Sequence, residues 1–129
     1  MNTDPQLNIA AESAIQKLID NVRGIKAVVI STEDGFEIAA WVENTAQVSR
    51  LAAMASSMAA LGAIAGEESQ LGTCDNIIIE APNGYLVMMQ ARHQKSILII
   101  SIITNKDAVM GQVLYFSRQV CKSLENFGL

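Results

Sequence analysis

Few of this chain's residues are equipped for chemistry. Its 129 residues include one histidine and two cysteines, and only 17% are charged. A catalytic nucleophile needs a base within hydrogen-bond reach, and the single histidine, His93, stands between Arg92 and Gln94-Lys95 in what reads as an exposed polar turn. The acidic residues are scattered as Glu33-Asp34, Glu37, Glu43 and Glu67-Glu68. No acid and base can be paired from them, and Glu67-Glu68 reads as the solvated end of a helix. Cys74 and Cys121 stand far apart in the sequence, with no C-x-x-C and no histidine at metal spacing, so two reduced and partly buried thiols are expected. The run Gly62-Ala-Ile-Ala-Gly66-Glu lacks the spacing and the lysine of a phosphate loop. These absences argue against an enzyme, a cofactor and a metal site.

Lysine and arginine never cluster, and the formal net charge is -4. Such a chain has no field to hold a phosphate backbone, which excludes nucleic acid as a partner. The start, Met-Asn-Thr-Asp-Pro-Gln, shows no positively charged segment leading into an apolar one, so a cytoplasmic location is expected. Half of the residues are hydrophobic. One domain over residues 1–129 would struggle to hide that much apolar surface alone, and association is the natural outlet.

What the chain does have is an alanine-rich middle segment from Asn44 to about Glu68. Asn44 and Gln47 have capping-box spacing, and alanine and methionine favour the helix that follows. On a 3.6-residue period Leu51, Met54, Met58, Leu61 and Ala65 form a large-residue stripe, expected to lie on a sheet. Ala52, Ala55, Ser56, Ala59, Gly62 and Ala63 form a small flank where another backbone could approach closely. Those small residues, with Arg50 at the entrance, are the candidate interface with a second copy or a partner. The Leu51–Gly66 core of the helix falls short of the roughly 20 residues that span a membrane, so no span is expected.

The remaining segments read in order. Asp4-Pro5 caps a helix whose Leu7, Ala11, Ile15, Leu18 and Val22 share one face, ended by Gly24. Ile25 to Ser31 and Phe36 to Val42 are strands joined by an Asp34-Gly35 turn. Trp41 and Phe36, in what reads as an edge strand, fit core or rim positions. Asn76–Ala81, Tyr85–Arg92 and Ser96–Ile103 are three more strands on short links, hence antiparallel neighbours. Met54 and Met58 read as core filling, and Met88 and Met89 must face opposite sides of the sheet. Thr104-Asn105-Lys106-Asp107 supplies a cap for a last helix carrying Val109, Val113, Phe116, Val120, Leu124 and Phe127. The order is α-β-β-α-β-β-β-α, a five-stranded antiparallel sheet with the outer helices on one face and the middle helix on the other.

Gly24-Ile-Lys-Ala-Val-Val-Ile-Ser-Thr-Glu-Asp34-Gly35-Phe-Glu-Ile-Ala39 resembles the opening hairpin of the roadblock family. The small-residue helix from Ala52 to Gly66, the Ile77–Ile79 strand and the final strand from Ile97 follow in family order. The resemblance implies a profilin-like or longin-like α/β domain that forms a homodimer. It implies that paired middle helices and the following strands build a platform, with Ile77 and Ile79 as strand-edge contacts, and that the platform binds a small Ras-like GTPase or a scaffold protein. A GTPase regulator could insert an arginine finger. Arg23, Arg50, Arg92 and Arg118 all fit ordinary surface salt bridges, and Arg50 is the first to test. Two other readings stay open: a small-molecule sensor with a pocket between helix and sheet, and a purely structural scaffold subunit.

Overall fold

The computed structural model describes residues 4–43 and 48–128. Helix α1 spans Pro5–Asn21, where the Asp4 side chain accepts a hydrogen bond from the Gln6 amide at 2.9 Å and proline occupies the first turn. Its buried residues include Leu7, Ala11, Ile15 and Leu18, the face expected from the sequence, and Val22 is buried just beyond its end. Strands β1 (Ile25–Thr32) and β2 (Glu37–Val42) form a hairpin closed by Gly35 at φ +92°, a conformation that suits glycine. The Thr32 hydroxyl accepts from the Phe36 amide at 3.0 Å and fixes this turn.

Helix α2 spans Val48–Glu68, and β3 (Asn76–Ala81), β4 (Gly84–His93) and β5 (Ser96–Thr104) follow before α3 (Met110–Asn126). The proposed capping pair, Asn44 and Gln47, lies outside the described residues. All pairings are antiparallel, and the sheet order is β2-β1-β5-β4-β3. The long apolar strand β5 therefore sits in the middle and β2 and β3 form the edges. A strand that is apolar on both faces needs cover on both, which is where β1 and β5 lie.

The expected division of helices holds. Leu18 of α1 and Val113, Val120 and Leu124 of α3 share one core with Val28, Ile30, Val87, Ile100 and Ile102 of the sheet. The other face carries α2, over Val29 and over Met88 and Ile99. Met88 and Met89 are both buried, one in each layer. Trp41 packs against the α1/α3 core, while Phe36 is exposed.

The start of α3 differs from expectation. Asn105 accepts from the Asp107 amide at 2.9 Å, which makes a local turn, and the helix begins later at Val109 without a side-chain cap. Val109 is exposed, so the buried stripe of α3 runs through Val113, Ser117, Val120, Cys121 and Leu124. Near the same loop Lys106 bonds Glu80 at 2.8 Å and lies 4.5 Å over the Tyr85 ring, tying the β3–β4 hairpin to this turn.

Candidate partner interface

The sheet surface beneath α2 is built from bulky side chains: Val29, Met88 and Ile99, with Ile77, Leu86 and Ile103 around them. Since the sheet fills the layer, the helix approaches mainly through small residues, with Leu51 over Val29 and Met58 at the side of the contact. The buried residues of α2 are Leu51, Ala52, Ala55 and Ala59. This corrects the expected assignment of faces. Ala52, Ala55 and Ala59 lie against the chain's own sheet and are unavailable to a partner.

Two more residues of the small flank serve the protomer. The Ser56 hydroxyl donates to the Glu33 carbonyl at 2.6 Å, fastening α2 to the β1–β2 turn. Gly62 leaves room for the Ile77 and Cys74 side chains; a Cβ added there would come within 2.9 Å of Ile77. Only Ala63 and Arg50 of the proposed helix contacts are exposed. The large residues face outward instead: Leu61 is 65% exposed, Ile64 55% and Met54 47%. Met54 thus does not fill the core as expected, and Leu51 alone of the large stripe is buried. Helix α2 ends at Glu68 as read, but its 21 residues exceed the Leu51–Gly66 core from which no span is expected, and by length and composition alone it is long and apolar enough to cross a membrane.

Beside α2 lies the edge strand β3. Ile77 packs partly buried against the Ala55, Ala59 and Met88 cluster, whereas Ile79 is exposed. Ile79, Leu86 and Ile103 line an open groove of about 290 Å³ with Lys26 at its margin. The outer surface of α2, this groove and the free edge of β3 all belong to the same side or border of the sheet. Between α2 and the sheet itself the space lined by Ala59, Ile77, Met88 and Ile99 is about 10 Å³, room for about one water and none for a metabolite.

Groups that might have suggested chemistry have structural roles. His93 is 7% exposed rather than in an open turn. Its Nδ1 lies 2.9 Å from the Leu124 carbonyl, and since a carbonyl only accepts, Nδ1 carries the proton. The ring tilts against Phe127 at 5.7 Å between centroids, so His93 anchors the end of α3 to the sheet. Burial of Cys121 pushes its thiol up to about 12, away from the reactive thiolate. Arg23, Arg50, Arg92 and Arg118 are all exposed; among the described residues the ion pair is Lys106–Glu80, so the expected salt bridges of these arginines are not formed.

The exposed apolar residues Leu61, Ile64 and Met54 are not among the helix contacts expected from the sequence. The signal for them is present in the strands: branched and long side chains on the α2 side of β4 and β5 favour alanine at the centre of the contact, where Ala55 and Ala59 lie, and leave Met58 at its side. A family model described as Roadblock/LC7 domain matches residues 13–101. No curated protein sequence matches the chain. Among solved structures, a Roadblock/LC7 domain from Streptomyces avermitilis superposes with a TM-score of 0.80 at 18% identity, covering 90% of this chain and 95% of that one. Myxococcus xanthus MglB gives 0.83 at 13% identity, over 97% and 92% of the two chains. An MglB with tetrameric arrangement gives 0.85 at 12% identity, over 95% and 90%. Identities this low establish a shared fold.

Proposed function

The chain belongs to the Roadblock/LC7 domain family, and on that premise we propose a non-enzymatic interaction module, one domain over residues 1–129, that pairs with a second copy and recruits or regulates a small Ras-like GTPase. The observation that carries this reading is the outward row of Met54, Leu61 and Ile64 on α2, apolar and wet in the lone protomer. Apolar side chains of this size aligned on one helix face mark an interaction surface. A two-fold pair would set α2 against α2, and β3 beside it offers a free edge through which one sheet extends into the next. Ile77 and Ile79 lie on that edge strand, Ile79 at its surface. The tetrameric arrangement of one similar MglB supports self-association. The roadblock resemblance supports the GTPase as the partner, and Arg50, exposed near the start of α2, is the cation best placed to meet it.

Sedimentation equilibrium should find a dimer, and a purified Ras-like GTPase from the same cell should co-elute with it and change its GTP hydrolysis rate on addition of the protein. Co-elution with an unchanged rate would leave recruitment without catalytic regulation. A chain that stays monomeric and retains no GTPase would overturn the proposal.

A further inference from the structure

On its own side of the contact helix α2 contributes small side chains for a helix of 21 residues. Its fully buried side chains are Leu51 and three alanines, and Val48 and Met58 add partly buried contacts with the sheet. Under it runs a polar seam. Ser31 and Ser101 are fully buried, and their hydroxyls have no hydrogen-bond partner. Ser31 stands opposite Ile99, and Ser101 opposite Val29 and Met88. Those neighbours are the residues on which α2 rests, so both hydroxyls point into the same layer. An unsatisfied buried hydroxyl penalises the docked helix, and lifting the helix would return it to water. Among the described residues the side-chain hydrogen bond that ties α2 to another element is that of the Ser56 hydroxyl on the Glu33 carbonyl. By contrast α1 and α3 each bury five residues, and nearly all join one continuous core with the sheet.

Resting on the pairing proposed above, we infer that α2 is seated in full only when a second copy covers it. A lone protomer keeps the sheet, α1 and α3 ordered and lets α2 lift from the sheet. Pairing traps Met54, Leu61 and Ile64 between two copies, and the helix is ordered by the same event that builds the interface. The GTPase platform then has no existence apart from the dimer, and its abundance follows the concentration of the protein. Alanine-rich helices of this length are marginal when detached in water, so their amides exchange quickly.

Hydrogen exchange on the full chain, measured above and below the dimer dissociation constant found by sedimentation, tests this. Amides of α2 from Ala52 to Glu68 should exchange at least about ten-fold faster in the monomer, while those of β1, β5, α1 and α3 change little. Leu61→Glu, which alters only an exposed side chain, should show the same fast exchange at high concentration. A dimer that dissociates with α2 protection unchanged overturns the coupling and leaves the dimer standing. A chain that is monomeric at every concentration overturns the dimer and the coupling with it.

Discussion

Two glutamates placed two residues apart on α2 should fail in opposite ways. Leu61 is 65% exposed in the protomer, so Leu61→Glu should leave the sheet, α1 and α3 within about 0.5 kcal/mol of the parent protomer. In the proposed pair that exposed portion is buried. Covering a leucine is worth about 1.5 to 3 kcal/mol in full, hence about 1 to 2 kcal/mol for the wet part of this one and about 2 to 4 kcal/mol over two symmetric copies. At about 1.4 kcal/mol per decade, the dimer should weaken about 30- to 700-fold, before any repulsion between the carboxylates. Ala59→Glu should do something else. Ala59 packs against Met88 and Ile99, so a carboxylate there enters an apolar layer without a partner at a cost of several kcal/mol, a large part of the roughly 5 to 15 kcal/mol that holds a domain together. Sedimentation reads the first variant and urea unfolding by circular dichroism reads both. A folded Ala59→Glu protein with the parent's midpoint, or a Leu61→Glu dimer of undiminished affinity, would show that the two faces of α2 have been assigned the wrong way round.

The Cys121 thiol keeps its proton to about pH 12 in the folded chain, whereas its usual value is 9.0. The folded state therefore binds more protons across that window, and this group's contribution to stability falls by about 1.4 kcal/mol per pH unit as pH rises through it, with nothing lost below. Urea midpoints of the parent and of Cys121→Ala, compared between pH 8 and 11, should converge as pH rises; parallel curves would refute the burial argument. Gly66→Ala drives a Cβ into the Gly72 carbonyl, so the turn joining α2 to β3 should open and cost about 1 to 3 kcal/mol, read as a lower thermal midpoint. His93→Ala removes the imidazole donor from the Leu124 carbonyl, leaving it the longer bond from the Phe127 amide at 3.3 Å, and should cost about 1 to 3 kcal/mol in urea, with faster amide exchange confined to the end of α3.

Periodicity made most of the architecture readable. Leu7, Ala11, Ile15 and Leu18 could face only one way, and strands such as Ile97–Ile103, apolar on both sides, had to lie inside the sheet. The middle helix defeated the same reasoning because both of its flanks are apolar. Periodicity separates oily from polar and cannot rank large against small; that choice is made by volume, which depends on Met88, Ile99 and Leu86 being brought under the helix by strand order. His93 was misread for a related reason. Its neighbours Arg92, Gln94 and Lys95 are polar and the hairpin turn is local, but the carbonyl that buries it belongs to Leu124, 31 residues on. Which face of α2 stays exposed is therefore decided only once the sheet is assembled.

Placing α1 and α3 together on one side of the sheet and α2 by itself on the other separates what must be kept from what is free to vary. If the outer face of α2 binds as proposed, substitutions at Met54, Leu61 or Ile64 would retune which molecule is chosen while the foundation opposite stands untouched. Such a layout lets copies of one gene drift toward new companions, or toward each other, without first having to survive a weakened fold.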